Sequence, residues 1–333
     1  MKRLWDETAP HGRVLIAVLV AVLAAAPAFA DRYVLTVLIL VLYFAYLGQA
    51  WNLLMGFAGQ LSLGHALYLG LGAYISAALW LHLGIGPLVS LVPAVIAATV
   101  CGLAVGWLGW RFGIEGVYFA LLTIAFAEFT RIAFDNIDFV GGSGGLFLPV
   151  EPERAGEWWN LRGGPALFYY IAFALAAGAA LLVAWLRHAP LGYRWLAVRE
   201  DPEAARALGI NVFRARMIAM AISSGMTAVG GVFYAFYSRN LFPAQIFDIG
   251  RSIELILAPI VGGLGTVFGP VIGAFILTPL GEALIAVTES LGVNAPGAKA
   301  VFYGLALIAI IYLRPNGVWP WLARLLRLDE PRR

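Results

Sequence analysis

Beyond its carboxylates, this 333-residue chain offers little to nucleophilic, metal or phosphate chemistry: four histidines, one cysteine and two lysines. His11, His65, His82 and His188 fall on separate stretches with no metal-ligand spacing. Cys101 lies inside an apolar run and reads as a packing residue; alone, it builds neither an intramolecular disulfide nor a redox pair. Neither Lys2 nor Lys299 follows a glycine, so the phosphate-cradling Gly-Lys-[Ser/Thr] loop cannot be assembled. No H-E-x-x-H occurs, and the one G-x-S-x-G match, Gly141 to Gly145, is part of a glycine-rich polar loop. The expectation is a chain that is not an enzyme and carries no cofactor; if ATP drives it, another polypeptide binds the ATP.

The carboxylates are more informative. Glu115, Glu128, Glu254 and Glu282 lie in or beside apolar runs, where an ionisable group is costly and therefore a functional candidate. Glu128 and Arg131 are three residues apart, as are Arg251 and Glu254, a spacing that pairs them on one helix face. Ion-coupled transport needs only a few such acids at mid-membrane. Of the four, Glu282 alone is far in sequence from a compensating arginine. An ion-coupled secondary transporter is thus the rival reading.

Two interruptions of the apolar pattern could line a pathway. Asn52 to Ala66 reads NLLMGFAGQLSLGHA, where Gly59, Gln60, Ser62 and His65 break an otherwise apolar stretch. Irregular backbone inside a membrane survives only when buried in protein or lining a watery cavity. The two readings are a turn followed by a close-packed helix, or part of a pathway; His65 reads as a hydrogen-bonded structural residue or a pathway group. The second interruption is the turn Gly262-Gly263-Leu264-Gly265, from which Gly265, Gly269 and Gly273 repeat every four residues.

A third feature is the charged island at 187–216, which holds the arginines at 187, 194, 199, 206, 214 and 216. Within it Asp201 is available as a cap, Pro202 suits a first helical turn, Glu203-Ala204-Ala205-Arg206-Ala207-Leu208 favours helix, and Gly209 supplies a stop. The pattern predicts about two turns of helix between two membrane runs.

The elements that position these groups follow from composition. Hydrophobic residues make up 62% and charged ones 12%, about half the charged share of a soluble domain. Mean hydropathy is +0.85. Apolar runs of roughly 17 to 25 residues cross the hydrocarbon core as helices. The spans read as about 14–30, 33–54, 61–83, 88–110, 113–134, 167–186, 213–237, 251–261, 267–287 and 300–313. Small residues at Gly64, Gly70, Gly72, Ala73, Gly102 and Gly106 let helices approach closely. Ala28-Phe29-Ala30 has the form of a signal-cleavage site; a retained first helix is the preferred reading, and both readings leave Asp31 and Arg32 outside. Segments 252–261 and 267–287 either both span or form a re-entrant hairpin.

Arginine distribution orients the chain. The acid-rich loop at 135–165 (Asp135, Asp138, Glu151, Glu153 and Glu157 against Arg154 and Arg162) reads as outside, with Trp158 and Trp159 at the headgroup boundary. The island and the tail arginines 324, 327, 332 and 333 read as inside. A net charge of +3 arranged this way is topology, not a nucleic-acid surface. The expected fold is an all-α polytopic membrane protein of about ten helices, some broken or re-entrant, forming one transmembrane domain over 1–333 with a cytoplasmic loop at 187–216.

Four stretches carry a resemblance. Glu203-Ala204-Ala205 followed by Gly209 has the form of the loop by which ATP-binding-cassette (ABC) importer permeases dock on their ATPases. Asn52 to Ala66 with Gly72-Ala73-Tyr74, Arg199 to Asn211, Ser252-Ile253-Glu254 through Gly262 to Pro270, and Arg314-Pro315-Asn316-Gly317 resemble, in order, the branched-chain amino-acid permease family of the LivM type. The resemblance implies a complex with a LivH-type sister permease, two cytoplasmic ATPases that hold ATP and Mg, and a periplasmic solute-binding protein. It implies that Asp201, Glu203, Ala204, Ala205 and Gly209 form the coupling helix. It also implies a bacterial inner-membrane location, and ten spans with both termini cytoplasmic satisfy the charge cues. Gly59, Gln60, Ser62, His65, Gly262, Gly263 and Gly265 become the candidate pathway, where backbone groups could face the solute. Similar permeases are associated with leucine, isoleucine and valine, with other amino acids, with urea and short amides, and with aromatic acids.

Overall fold

Every apolar run in the sequence becomes a helix in the computed structural model, which describes residues 10–149, 158–290 and 297–326. In chain order these helices are α1 (Pro10–Ala25), α2 (Arg32–Asn52), α3 (His65–Leu83), α4 (Pro87–Arg111), α5 (Val117–Asp135) and α6 (Pro165–His188). The island contributes α7 (Pro190–Glu200) and α8 (Pro202–Ala207), followed by α9 (Val212–Ser238) and a short α10 (Pro243–Ile246). The chain closes with α11 (Ile249–Gly262), α12 (Gly269–Ser290), α13 (Ala298–Leu313) and α14 (Val318–Leu325). Expected charge cues at Lys2, Arg3, Glu151, Glu153, Arg154, Glu157, Arg327, Arg332 and Arg333 lie outside the described residues.

Seven of the helices among the described residues are long and apolar enough to cross a bilayer: α2 with its π-turn extension to Phe57, α3, α4, α5, α6, α9 and α12. That is fewer than the ten expected spans. Two further apolar helices, at Ala17–Ala28 and Ala300–Ile310, are shorter. At 14 residues, α11 rises only about 21 Å, less than the ~30 Å hydrocarbon core.

Two expected helix starts move four residues later along the chain. The third span begins at His65, not Leu61, because the backbone of 59–64 is held by side chains from elsewhere. The fifth begins at Val117, because Gly113 and Gly116 both take positive φ (70° and 61°). A two-residue antiparallel ladder, β1 (Leu146–Phe147) with β2 (Asn240–Leu241), was not expected and joins two connecting loops.

The chain divides into two compact units. One comprises 50–168 and 191–256. Here α3, α4 and α9 pack most extensively on one another. Small residues make this possible: a Cβ on Gly72 would overlap the Ala228 carbonyl, and one on Gly231 would overlap that of Leu69. Gly102 sits against Ser224, while Gly106 shelters the ring of Trp110 on its own helix. At one end Tyr74 stacks on Phe247 at 5.7 Å, Phe134 closes on both, and the Tyr74 hydroxyl donates to the Leu241 carbonyl at 3.0 Å.

The other unit comprises 1–49, 169–190 and 257–333. Its core joins Leu257 and Val261 of α11, Leu277 of α12 and Tyr303 of α13. Gly262 and Gly273 let the end of α11 cross the start of α12 at backbone contact. The Tyr169 hydroxyl donates to the Leu23 carbonyl at 2.6 Å, tying α6 to α1.

Candidate functional site

The first interruption is an irregular segment whose polar backbone is supplied with partners from distant elements. After α2, a π-turn at Leu53–Phe57 leads into non-helical backbone that ends at Gly64. Gly59 has φ +70°, a conformation glycine adopts without a Cβ clash. The Ser62 carbonyl accepts from Trp51 Nε1 at 2.7 Å, and Leu63 N donates to Thr123 Oγ1 at 3.0 Å. Ala66 N donates to Ser252 Oγ at 3.0 Å, and Gln60 Nε2 donates to the Ala58 carbonyl at 3.1 Å. Such pairing is what a low-dielectric interior demands of backbone outside a helix.

His65 is the knot of this segment, only 1% exposed. Ser223 Oγ donates to the Ala50 carbonyl at 2.7 Å, so its oxygen can only accept from His65 Nε2, 2.9 Å away. That arrangement assigns the proton to Nε2 and leaves Nδ1 to accept from Ser62 Oγ, also at 2.9 Å. The result is a directed chain, Ser62 to His65 to Ser223 to Ala50, joining α2, the break, α3 and α9. The edge of Tyr68 packs on the imidazole at 5.4 Å.

In the island, Asp201 Oδ1 accepts from Glu203 N at 2.9 Å and Ala204 N at 3.0 Å, capping α8. Gly209, at φ +80°, terminates it, and Ile210 N donates to the Ala205 carbonyl at 3.0 Å. Ala205 is buried, whereas the Glu203 side chain and Leu208 are each 81% exposed. Glu203 pairs with Arg206 and does not cap the helix. The helix α7 was not singled out in the sequence; Trp195 anchors it by donating from Nε1 to the Ala215 carbonyl at 2.8 Å.

Arg199, at the end of α7, reaches the first break. Its Nη1 donates to the Gly56 carbonyl at 2.5 Å, and a methyl added at Gly59 would lie 2.8 Å from its Cγ. A second arginine of the island, Arg216, is buried and pairs with Glu115. Glu115 thus stands in the loop before α5 and not inside that helix.

The second interruption lies in the other unit. Gly263 and Gly265 take φ of +130° and +70°. Thr266 Oγ1 donates to the Gly263 carbonyl at 2.8 Å and accepts from Gly269 N at 3.0 Å. Gln49 Nε2 donates to the Val267 carbonyl. Gly317 lies so close that a Cβ there would stand 2.4–2.9 Å from backbone atoms of Gly262 and Gly263. The pathway candidates therefore form two clusters, Gly59, Gln60, Ser62 and His65 in one unit and Gly262, Gly263 and Gly265 in the other.

Two more of the four acids, Glu128 and Glu254, are paired with arginines. Glu128 shares Arg131 with Asp135, and Glu254 meets Arg251 at 2.9 Å. Sequence reasoning missed Thr123, Ser223 and Arg199 as partners of the break. Thr123 and Ser223 give no local signal, and Arg199 stands out only by its charge.

Seven helices long and apolar enough to cross a bilayer, an interrupted segment in each unit and an exposed capped helix define a multi-pass α-helical membrane protein. Residues 33–311 match the family described as branched-chain amino acid transport system, permease component, and the chain belongs to that family. It is 26% identical to the high-affinity branched-chain amino acid transport system permease protein LivM of Escherichia coli K12, covering 98% of this chain and 79% of that protein. The probable branched-chain amino acid transport permease LivM of Methanocaldococcus jannaschii is 24% identical, covering 82% of this chain and 84% of that protein. A shorter likeness, 31% over 113 residues and 32% of each chain, is to the autoinducer 2 import system permease LsrC of Salmonella typhi. No solved structure matches. The chain is the permease component of an ABC importer, a transport subunit that works with other components.

Proposed function

We propose that this chain imports branched-chain or related amino acids across a bacterial inner membrane, paired with a LivH-type permease and served by a periplasmic solute-binding protein. Two cytoplasmic ATPases supply the work and hold the ATP and Mg; this chain performs no catalysis and binds no nucleic acid. It acts as one permease domain of ten membrane segments with both termini cytoplasmic and the first helix retained. Asp201, Glu203, Ala204, Ala205 and Gly209 form the helix that docks on an ATPase. Gly59, Gln60, Ser62, His65, Gly262, Gly263 and Gly265 lie at the two breaks from which the pathway is built, His65 acting there as the tie that holds the first break in shape. ATP closes the ATPase pair, and that closure favours one permease state by its differential affinity.

The observation that carries the coupling assignment is an exposed helix, capped at Asp201 and stopped at Gly209, that leaves Glu203 and Leu208 in solvent. Arginines beside Glu115, Glu128 and Glu254 count against an ion-coupled mechanism. Deleting Pro202–Gly209 is expected to abolish co-purification of the ATPases, while Glu203→Lys weakens it. Retained ATPase association and uptake in both variants would sink the assignment. Uptake by cells should survive collapse of the proton gradient and fail when ATP is depleted. For the substrate class, titration of the accompanying solute-binding protein with leucine, urea and benzoate separates amino-acid, amide and aromatic-acid readings.

A further inference from the structure

We infer that Arg199 is a positioning residue that carries movement of the docking helix into the first membrane break. The inference rests on the reading of Pro202–Gly209 as the ATPase-docking helix. Three contacts support it. Asp201 N donates to the Ala197 carbonyl at 3.1 Å while Asp201 Oδ1 caps α8, so α7 and α8 are joined through the single residue Asp201 and the end of α7 follows α8. The guanidinium of Arg199 then crosses 143 positions of sequence to accept the role of cap for α2: its Nη1 donates to the Gly56 carbonyl inside the π-turn. Carbonyls at a helix C-terminus have no partner in their own helix and favour a cation. Finally, the stem of Arg199 fills the space over Gly59, where a methyl would lie 2.8 Å from Cγ and 3.2 Å from Cα.

The pairing of Arg199 Nε and Nη2 with Glu200 Oε1, at 3.2 and 2.9 Å, orients the guanidinium toward Gly56. Gly59 opens the irregular segment that runs to His65, so a displacement of α7 is delivered to its first residue. An arginine serving topology alone needs no such contact, since an exposed side chain satisfies the inside-charge preference equally well.

The test uses the full complex in membranes, with this chain as Cys101→Ser and Leu61→Cys. Leu61 is a partly exposed residue of the break. The readouts are maleimide labelling of the new cysteine with and without ATP plus vanadate, ATP hydrolysis, and co-purification of the ATPases. Labelling is expected to change with ATP by roughly tenfold in the parent, and Arg199→Gln is expected to reduce that change to within about twofold while hydrolysis and co-purification persist, the scale of losing one charge-assisted hydrogen bond. Arg199→Lys, which keeps a cationic donor, should recover part of the response. Should Arg199→Gln not assemble, Arg199→Met is read in the same way, because it keeps an apolar stem over Gly59 and removes the donor to Gly56. A full ATP response in the variant that assembles, or no response in the parent, overturns the inference. Loss of the docking reading is separate: it shows as ATPase co-purification that survives deletion of Pro202–Gly209.

Discussion

The two membrane breaks solve the same problem by different means. At 58–64 the irregular backbone is held by side chains: Trp51 and Thr123 pair with Ser62 and Leu63 inside it, Arg199 and Ser252 pair with Gly56 and Ala66 on either side of it, and His65 bridges two serines. At 263–268 the turn closes on glycine. Gly262, Gly269 and Gly273 allow backbone to meet backbone, with Thr266 and Gln49 as the side chains that pair with the turn. A break held largely by polar side chains is sensitive to the loss of a partner, although it too meets backbone at its end, where a Cβ on Gly64 would overlap the Thr123 carbonyl oxygen. One closed mainly by backbone contact is sensitive to added volume at each of its glycines, because their neighbours are peptide atoms that cannot rotate away.

That contrast can be broken most severely at the second break. Gly262→Val would drive a side chain into the Gly269 carbonyl, and is expected to cost about 3 kcal/mol or more. Fluorescence-detected size-exclusion should show the detergent-solubilised protein lost or aggregated; an unchanged monodisperse peak would mean that the backbone contact is not what closes the turn. Next comes His65→Ala, which strands the buried Ser62 and Ser223 hydroxyls and should destabilise by about 2–4 kcal/mol. A thermal-shift measurement checks it, and a loss no larger than that of an exposed histidine such as His82 would refute the side-chain account.

Ser223→Ala removes one link of the same chain and is expected to cost about 1–2 kcal/mol. His65→Ala and Ser223→Ala should then be non-additive in a double-mutant cycle, since they share a hydrogen bond. The smallest effect belongs to Gln49→Leu, which removes one hydrogen bond to the Val267 carbonyl from a turn closed mainly by glycine. It should cost about 1 kcal/mol. A drop as large as that of His65→Ala would erase the distinction between the two breaks.

Much of the fold was legible because bilayer physics writes it in composition. Each of the ten apolar segments is helical, and the expected ends of α4, α6 and α9 differ from those observed by one or two residues. The two starts that moved, at His65 and Val117, were set by glycine conformation and by hydrogen bonds from residues 60 positions or more away, neither of which hydropathy registers. The site was legible as types but not as partners. The run around His65 marked an interruption, yet nothing near it in the chain named Ser223 or Arg199. Glu115 read as the start of a span and is instead a loop residue facing Arg216, because Gly113 and Gly116 delay the helix.

By itself the sequence determined that this is a helical membrane protein with no Gly-Lys pair in its 333 residues, and that a capped helix lies in its most basic loop. Those properties depend on local composition, on the cost of unpaired backbone in hydrocarbon and on capping within a few residues. Only the tertiary structure decided that His65 is bonded on both sides, that one break is held by side chains and the other by glycine backbone, and that Arg199 joins the basic loop to the first break. Each of these is a contact between residues distant in the chain, and such contacts depend on how helices of similar composition pack.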